Sequence, residues 1–546
     1  MGIYVNQLGY LPNTRKIAAA TFPCNFKIMD TVKKQIVFEG TALDKGMDES
    51  SGDHMYELDF SALNTPGSYR IEAENGACSH PFRIAADVYS SLKSALIKAL
   101  YYQRCGCDLP EEYAGVYTHD ACHMDGAIFL QDYLDQKENP KAYDMTGGWH
   151  DAGDFGRYSS PAAVALAHLL YAYELFPDAL QMSLNIPESD NEFPDILNEC
   201  LYELTWLLKM QDSDGGVYHK LTSFSHADFV MPEEDRAQFL IYPVSSMATA
   251  DFTAVMALAA RVFTNYYPDF AKKALVSARK AWAWLEAHPY VGFHNPEGSN
   301  TGEYDDDCDL DERLWASAEL LRTDRAVSTY AERFLEYSGA SLTKTDFGWT
   351  DVSGLASLCV LTDPEHHAGR LEESYRNTVL AEADRLLAIQ EKSGYRLAML
   401  PEDFVWGSNM VVCNRSMLFI LASLICKEKK SLYAGAALEQ LHYLLGRNAL
   451  DISYVTGFGE HAFRNPHNRP TFADGIDLPM PGWVSGGPYK APCDPAAIAA
   501  IPKGTPPMKC YVDDVGSYST NEITIYWNSP AVFMTAFFST LSSFKK

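Results

Sequence analysis

The pattern of apolar and polar residues changes near Ala85 and divides the chain into two parts. Before this point, short apolar or alternating runs are separated by turn residues such as Thr65-Pro66-Gly67 and Asn75-Gly76. Alternation with a period of two is typical of strands, and several short strands at this spacing predict a small β-sandwich. The runs that we assign to strands lie at 16–20, 26–30, 55–60 and 68–73.

From Ser90 onward, apolar residues recur at the spacing of a helix face. The predicted helices cover 90–104, 119–135, 160–176, 193–211, 249–266, 270–288, 311–322, 325–337, 371–390, 408–427, 431–446 and 526–543, with a weaker candidate at 350–361. This periodicity predicts a large all-α domain. Twelve helices with long loops suggest six hairpins in a closed ring, an (α/α)6 barrel, although no sequence repeat supports it directly. We therefore place the β-sandwich at 1–86 and the helical domain at 87–546.

The loops between the predicted helices are long and rich in Gly, Pro, Asp and aromatic residues. They cover 212–247, 289–310, 391–407 and 447–525. Long loops inside a compact domain usually carry function, so we expect the site among them.

Composition narrows the classes of function that fit. The 546 residues include 44 Lys and Arg against 72 Asp and Glu, a net charge of 44 − 72 = −28. Such a chain repels nucleic acid and anionic membranes and suits a neutral or cationic substrate. The alternative is that the charge serves only solubility. We expect no membrane span, because no stretch approaches 18 uncharged apolar residues.

The N-terminal residues and the cysteines bear on location. Met1–Asn6 contain neither a basic nor an apolar signal region, so we expect a cytoplasmic protein, or a secreted one if a leader was removed. The twelve cysteines are scattered through a large chain. This favours thiols in a reducing compartment, with some of them on a metal.

The stretch 147–158 concentrates reactive side chains. It holds His150, the carboxylates of Asp151 and Asp154, one indole and four glycines within twelve residues. Glycines at this density mark a tightly turning backbone, and the spacing lets one loop direct both carboxylates into one space. Two close carboxylates split their pKa values, so that one stays a base while its neighbour supports it. The alternative is a turn whose aspartates cap the next helix.

Two later stretches add polar groups. Glu522 follows Asn521 and precedes an apolar helix that begins near Tyr526, with Trp527 close by. Aromatic surroundings favour the neutral carboxyl group that a general acid needs, whereas the alternative is a helix-terminal Glu stabilised by the dipole. The loop 453–470 carries Arg and His side chains that can bind hydroxyls or a carboxylate, or are incidental surface residues.

Two sets of residues have the chemistry of metal ligands. Cys105, Cys122, His123 and His150 offer the donors that zinc prefers. Their spacing is not that of a standard finger, and by itself favours dispersed side chains. The acidic run 305–312 offers hard oxygen ligands for calcium, or is a solvated acidic helix N-terminus.

Taken together, these stretches resemble glycoside hydrolase family 9, the inverting cellulase-type enzymes. The resemblance covers nearly the whole chain. Val5–Tyr10 looks like the opening of the immunoglobulin-like module found in one branch of the family, and 147–158 looks like its DAGD loop. Further matching stretches lie at 243–252, 443–448, 453–469 and 513–527. The family's catalytic fold is the (α/α)6 barrel, in agreement with the helix count.

The resemblance implies a role for each matching residue. Asp154 would be the general base that activates water, Asp151 would help to hold that water, and Glu522 would be the general acid. The residues implied around the acid and the sugar are Asp513, Tyr518, Asn521, His467 and Arg469. The pattern departs at Asn468, where many relatives carry a second His, which puts the sugar contacts of this loop in doubt.

The resemblance also implies two metals. The immunoglobulin-bearing branch holds a structural zinc on a Cys, Cys-His, His set with spacings that match Cys105, Cys122, His123 and His150, while Cys107 is a nearby spare thiol. Calcium is implied at Asp311 and Glu312, with a backbone oxygen from Asp307 or Cys308. We expect sugar rings to stack on aromatic side chains of the loops. The candidates are Trp349, Trp406, Trp483, Tyr489 and Trp527.

The implied substrate is a β-1,4-linked glucan, and for a cytoplasmic enzyme a short soluble cellodextrin. One alternative is an exo-β-glucosaminidase acting on chitosan oligosaccharides, whose ammonium groups an acidic pocket would suit. Another is a carbohydrate-binding protein on an inactive enzyme fold, against which the intact Asp151, Asp154 and Glu522 argue. We expect an oligosaccharide or polysaccharide as the partner, with no nucleic acid and no membrane; endo or exo action and oligomeric state are not predicted.

Overall fold

A computed structural model describes residues 2–324 and 327–541, and the first part of this chain forms nine strands. They are β1 Ile3–Tyr4, β2 Gly9–Tyr10, β3 Ile17–Ala20, β4 Asn25–Asp30, β5 Gln35–Thr41, β6 Leu43–Met47, β7 His54–Asp59, β8 Gly67–Ala73 and β9 Phe82–Ile84. One sheet has the order β1-β3-β7-β6 and the other β2-β9-β8-β4-β5. Buried side chains of both sheets, such as Leu58 and Ile71, share one core. The predicted sandwich is therefore confirmed.

All four predicted strands occur, as β3, β4, β7 and β8. Their apolar residues alternate because one face packs into the core, and Ile28 of β4 pairs with Ile71 of β8. Strands β5 and β6 were not predicted. Most of their residues are exposed or only half-buried on both faces, so no alternation marks them in the sequence.

The described residues form seventeen α-helices and six further short strands. The helices are α1 Ser90–Tyr101, α2 Glu111–Ala114, α3 Leu130–Leu134, α4 Ser159–Leu175, α5 Asp195–Leu207, α6 Ser246–Phe263, α7 Pro268–Ala287, α8 Leu310–Thr323, α9 Thr329–Ser338, α10 Ser353–Leu361, α11 Leu371–Lys392, α12 Ser408–Ile425, α13 Lys430–Leu444, α14 Arg469–Ala473, α15 Pro495–Ala500, α16 Tyr518–Asn521 and α17 Ile525–Leu541. The strands are β10 Ile128–Phe129, β11 Arg157–Tyr158, β12 Val217–Tyr218, β13 Lys220–Thr222, β14 Leu240–Ile241 and β15 Val244–Ser245.

Twelve of the thirteen predicted helices occur; residues 325, 326, 542 and 543 of two of them lie outside the described residues. The predicted helix 119–135 is wrong. Its apolar residues pair with strands instead: Ala127 bridges Tyr143 and Ile128 pairs with Leu240. His123 has a left-handed backbone with φ of 49°, which a helix cannot contain. Only the short α3 remains of this prediction.

Helices α4 and α6 pack against each other and are buried nearly all round. This burial explains why apolar and small residues surround both helix axes instead of forming one stripe. Among the described residues, α6 and α12 are long and apolar enough to cross a membrane, but 89% and 72% of these segments lie buried inside the protein. Buried core helices meet the same criteria.

Contacts divide the chain into two compact units. The first comprises Met1–Ala99, Leu380–His467 and Asp477–Lys546, and the second comprises Leu100–Val379 and Asn468–Ile476. Within the first unit, the buried Arg396 pairs with Glu57 of β7, with Glu391 and with Glu439 of α13. Buried charges need partners of this kind, so these ion pairs join the sandwich to later helices of the same unit.

Candidate active site

The loop 147–158 belongs to the second unit and is held by α5. The backbone N–H of Trp149 donates to Glu203, and its indole N–H donates to Glu199, one helical turn earlier. Gly148 has a φ of 79°, and a Cβ there would lie 2.7 Å from the ring of Trp206. The glycine is therefore required by both the backbone conformation and the close approach.

Both aspartates of the loop are buried. The backbone N–H of Asp151 donates to the carbonyl of Gly156, which closes the turn at 2.9 Å. Oδ2 of Asp151 accepts a 2.5 Å hydrogen bond from the phenol of Tyr304. Oδ1 of Asp151 is buried and has no hydrogen-bond partner among the described residues. This buried oxygen is available for a hydrogen bond to a water molecule.

Asp154 has a different environment. Its Oδ2 accepts hydrogen bonds of 3.1 Å from the backbone N–H of Gly156 and from the phenol of Tyr158. Nδ1 of His226 lies 3.3 Å from the same oxygen. Asp154 is therefore surrounded by donors, as an ionised carboxylate requires.

The two carboxyl groups differ in acidity. Burial raises the pKa of Asp151 well above its ordinary value. The hydrogen bond from Tyr304 lowers this pKa, and the charge of Asp154 raises it. Burial also opposes ionisation of Asp154, but the hydrogen bond and charge of His226, the charge of Arg469 and the Gly156 N–H outweigh it. The pKa of Asp154 therefore lies well below its ordinary value, and Asp154 is the ionised member of the pair.

Sequence reasoning missed His226 and Tyr304. They lie in the loops 212–247 and 289–310, which the sequence marked only by their length. Nothing in the local sequence connects either side chain with the aspartates, because these contacts depend on the packing of distant loops.

Asn468 and Arg469 also support this loop. The side chain of Asn468 accepts from the N–H and the hydroxyl of Thr471 and caps α14, so the departure from the family pattern has a structural use here. The backbone N–H and Nη1 of Arg469 both donate to the carbonyl of Gly153, while Nε donates to Ala227. Arg469 is nearly buried and holds the loop between the two aspartates; a sugar contact stays a prediction.

Glu522 belongs to the first unit and directly follows α16. Asn521, the residue before it, donates through Nδ2 to Asp513 at 3.1 Å. Asp513 also accepts 2.8 Å bonds from the backbone N–H groups of Arg464 and Asn465. Its carboxylate therefore braces the loop around Glu522, and its predicted contact with substrate stays untested.

His467 and Tyr518 lie in the same region. The backbone N–H of His467 donates to Asn521 at 3.0 Å, and Nδ1 lies 2.6 Å from the carbonyl of Val515. The ring of Tyr518 lies edge-on to His467, with 5.9 Å between ring centroids. These contacts bring His467, from the stretch 453–469, together with Tyr518 and Asn521, from the stretch 513–527, beside Glu522.

The predicted stacking residues divide into two groups. Trp406 is 43% exposed and lies 5.5 Å from Tyr518 and 6.4 Å from Tyr489 between ring centroids. Trp349, in the second unit, is half-buried with its ring edge-on to Tyr304. The predictions for Trp483 and Trp527 are wrong. These two rings are 1% and 2% exposed, and the backbone at Gly407 and Gly486 packs closely against Trp527.

The four predicted zinc ligands come together in the second unit. Cys105, Cys122, His123 and His150 each direct a ligand atom into one cluster, with all four atoms within 4.8 Å of one another. Nδ1 of His123 faces the cluster, and its Nε2 lies 3.3 Å from Asp235. Metal-binding histidines usually use their second nitrogen in this way. The cluster can hold a metal ion, and Cys107 is not part of it.

Only two of the predicted calcium ligands are buried together. Asp311 and Glu312 begin α8, and their charges interact with the buried Asp251 of α6, which the prediction missed. None of the four carboxylate oxygens of Asp251 and Glu312 meets hydrogen-bond geometry with a described residue. Burial raises the pKa of Asp311 to about 6 and those of Asp251 and Glu312 well above their ordinary values. Asp307 and Cys308 are exposed.

Comparison with known proteins identifies the class. Residues 89–535 match glycosyl hydrolase family 9, and residues 1–77 match the cellulase N-terminal ig-like domain. A cellodextrinase of Butyrivibrio fibrisolvens is 43% identical over 549 residues, which cover 97% of this chain and 98% of that protein.

Solved structures of family 9 enzymes are also similar to nearly the whole chain. AaCel9A in complex with cellobiose-like isofagomine has a TM-score of 0.90 at 37% identity, covering 99% of this chain and 100% of that one. A Zn-binding triple mutant of a family 9 endoglucanase has a TM-score of 0.90 at 33% identity, covering 97% and 99%.

Fold and site therefore define a glycoside hydrolase of the cellulase type. The chain belongs to glycosyl hydrolase family 9. The expected fold class, an N-terminal immunoglobulin-like β-sandwich followed by an (α/α)6 barrel, is confirmed.

Proposed function

We propose that this enzyme hydrolyses β-1,4-glycosidic bonds of glucans, with soluble cellodextrins as substrates and inversion at the anomeric carbon. The observation that carries the proposal is the environment of Asp154, a buried carboxylate that His226 keeps ionised. The names of relatives, a cellodextrinase and endoglucanases, support glucan hydrolysis and not the glucosaminidase alternative. The cellobiose-like ligand of AaCel9A adds support for this substrate class.

An inverting reaction needs a base that deprotonates water and an acid that protonates the leaving oxygen. We assign the base to Asp154, because a low pKa keeps it free of a proton. The unpartnered Oδ1 of Asp151 is the atom that orients the water through a hydrogen bond. Glu522 donates the proton to the leaving group, and the hydrogen bonds of Asn521 and Asp513 support its loop.

We also propose which side chains bind the sugar rings of the substrate. Trp406 has the exposed ring face that stacking on a sugar requires. The other proposed contacts are Trp349, Tyr518, His467, Asp513 and Arg469. Of these, Asp513 and Arg469 already hold protein backbone, so we expect weaker effects of their substitution on KM than for Trp406.

The central test is the anomer formed first. NMR of cellotetraose hydrolysis should show the α-anomer before mutarotation, and first formation of the β-anomer would overturn the mechanism.

D154N and E522Q should each lower kcat by roughly 10²–10⁴-fold, because each group moves a proton in the transition state. The matched control is D269N, whose carboxylate is fully exposed on α7. Hydrolysis of a glucosamine tetramer in preference to cellotetraose would favour the glucosaminidase alternative.

Zinc is the proposed occupant of the Cys105, Cys122, His123 and His150 cluster. Two thiols and two imidazoles are the donor set that tetrahedral zinc prefers, and four protein ligands leave no open position for chemistry. Its role would be structural, because His150 directly precedes Asp151. The Zn-binding mutant of a family 9 endoglucanase supports this class of metal.

Calcium is proposed at Asp251, Asp311 and Glu312. The carboxyl groups of Asp251 and Glu312 are buried without a hydrogen-bond partner among the described residues, and a hard cation with oxygen ligands would offset the cost of this burial. We also propose a cytoplasmic location, which cell fractionation tests. It is supported by the twelve cysteines, all of which are free.

A further inference from the structure

Lys220 is a buried lysine in the second unit that the proposed mechanism does not use. It lies on β13 with no exposed surface, and in the β11–β13 pairing it stands opposite Tyr158. Its ammonium group lies 4.5 Å from the ring centroid of Tyr242, 5.3 Å from that of Phe293 and 5.8 Å from that of Tyr158. A cation in such a cage of rings is stabilised by their π faces.

All three N–H groups of this ammonium have an acceptor on one loop. Nζ donates to Asn295 Oδ1 at 2.6 Å, to the carbonyl of Gly302 at 2.6 Å and to Thr301 Oγ1 at 3.1 Å. Charge-assisted hydrogen bonds of this length are among the stronger ones in proteins. Lys220 therefore anchors the segment 295–302.

The same loop reaches both aspartates. The backbone N–H of Gly302 donates to the Tyr158 hydroxyl at 3.2 Å, and that hydroxyl donates to Asp154. Two residues later, Tyr304 donates to Asp151. Tyr304 has a left-handed φ of 50°, an uncommon conformation for a bulky residue that its surroundings must maintain. A displacement of this loop would therefore disturb both carboxylates together.

We propose that Lys220 is a positioning residue for the hydrolytic reaction: its charged ammonium holds the 295–304 loop so that Tyr158 and Tyr304 fix Asp154 and Asp151. This inference rests on the proposed function. A neutral amine has two N–H groups for three acceptors, so loss of the proton would release one of these contacts. Lys220 does not touch the reacting atoms and acts through the two tyrosines.

The charges around Lys220 make this proton loss measurable. Burial lowers the pKa of Lys220 to about 7, against the opposing charges of Asp154 and Glu303. The other titratable groups that face it are Tyr158, Tyr242 and the neighbouring His219. Since the lysine is charged below this pKa, we expect kcat to fall as the pH rises through about 7.

Three variants test the inference on cellotetraose between pH 5 and 9. K220M should lower kcat roughly tenfold to a hundredfold with a smaller change in KM, because small displacements of catalytic groups cost that much. The fall of kcat near pH 7 that comes from deprotonation of Lys220 should be absent in K220M. N295D places a carboxylate on Nζ, which should raise the pKa of Lys220 and move the limb upward by about one pH unit. K220R keeps its charge at every working pH and should retain activity above pH 8.

The matched control is K16M. Lys16 is also fully buried, donates to Thr14, Ser61 and Asn64, and has a pKa lowered by burial to about 8, but it belongs to the other unit. K16M should lower the thermal midpoint and leave the pH profile unchanged. If K220M does not fold, N295D and K220R decide the question.

If the wild-type enzyme is active and N295D and K220R have the same alkaline limb of kcat as the wild type, the inference about Lys220 is overturned while the proposed function stands. A limb that shifts equally in K16M would also overturn it, because the effect would then follow general destabilisation. A folded wild-type protein without activity on β-1,4-glucans would overturn the proposed function and this inference with it.

Discussion

Nδ1 of His226 lies 3.3 Å from Oδ2 of Asp154, although the two residues are distant in sequence. This contact places a partly exposed imidazole against the buried carboxylate of the proposed base. Together with the charge of Arg469 and the N–H of Gly156, His226 lowers the pKa of Asp154 despite its burial, whereas burial and the charge of Asp154 raise the pKa of Asp151.

Removing this imidazole should change the acid side of the pH profile. In H226A the pKa of Asp154 should rise, because the hydrogen bond and charge that lower it are gone. The base is active when ionised, so the acid limb of kcat should move to higher pH, and kcat at pH values below the new limb should fall. Steady-state kinetics on cellotetraose measure both effects. H366A, whose imidazole is largely exposed, is the control, and an unmoved acid limb in H226A would contradict the assignment.

The hydrogen bond from Tyr304 should matter for turnover more than for affinity. Y304F deletes the donor to Asp151 and keeps the ring that packs against Trp349. We expect kcat to fall about tenfold with KM little changed, since a misoriented water affects the transition state. Y173F removes a phenol that hydrogen-bonds to the half-buried Tyr266 and should leave kcat unchanged. Equal effects of the two substitutions would argue against a specific role of Tyr304.

Zinc should be present and should stabilise the fold. Protein purified without chelator should contain about one zinc per chain by elemental analysis, and C122S should lose it with a clear drop in thermal midpoint. C107S is the matched control, because this thiol neighbours Cys105 in sequence and lies outside the cluster. A metal-free wild-type protein of full activity, or loss of zinc in C107S, would contradict the assignment.

Acid should destabilise the protein partly through His168. This imidazole is fully buried on α4, its Nε2 lies 3.0 Å from the carbonyl of Phe347, and burial lowers its pKa to about 3. Below about pH 6.5 the imidazole of His168 is protonated in the unfolded chain, whereas in the folded protein it stays neutral down to about pH 3. The free energy of unfolding should therefore fall by about 1.4 kcal/mol per pH unit in this window from this residue alone.

H168Q isolates the effect because it keeps a donor for Phe347 and does not titrate. Buried carboxyl groups with raised pKa values act in the opposite direction, so the difference between variant and wild type is the quantity to measure. Urea unfolding at pH 6.5, 5.5 and 4.5 should give a smaller loss of stability for H168Q. Parallel pH dependences in the two proteins would exclude a contribution from His168.

Local sequence determined most of the helices and the pieces of the site that lie within one motif. Helices such as α5 and α7 could be predicted because their apolar periodicity is a property of consecutive residues. The zinc-type ligands and the Asp151–Asp154 pair could be named from residue types and from the order of motifs. The same reasoning failed for 119–135, where apolar residues pair with strands that come later in the chain.

Only the tertiary structure decided how these pieces are supported. His226, Tyr304 and Lys220 lie in loops or strands without a recognisable local pattern, and their roles arise from contacts with residues far away in the chain. Burial likewise separated Trp406, which is exposed, from Trp483 and Trp527, which belong to the core. Residue type and spacing describe what a side chain can do, whereas its neighbours and its access to water are set by long-range packing, which local periodicity does not contain.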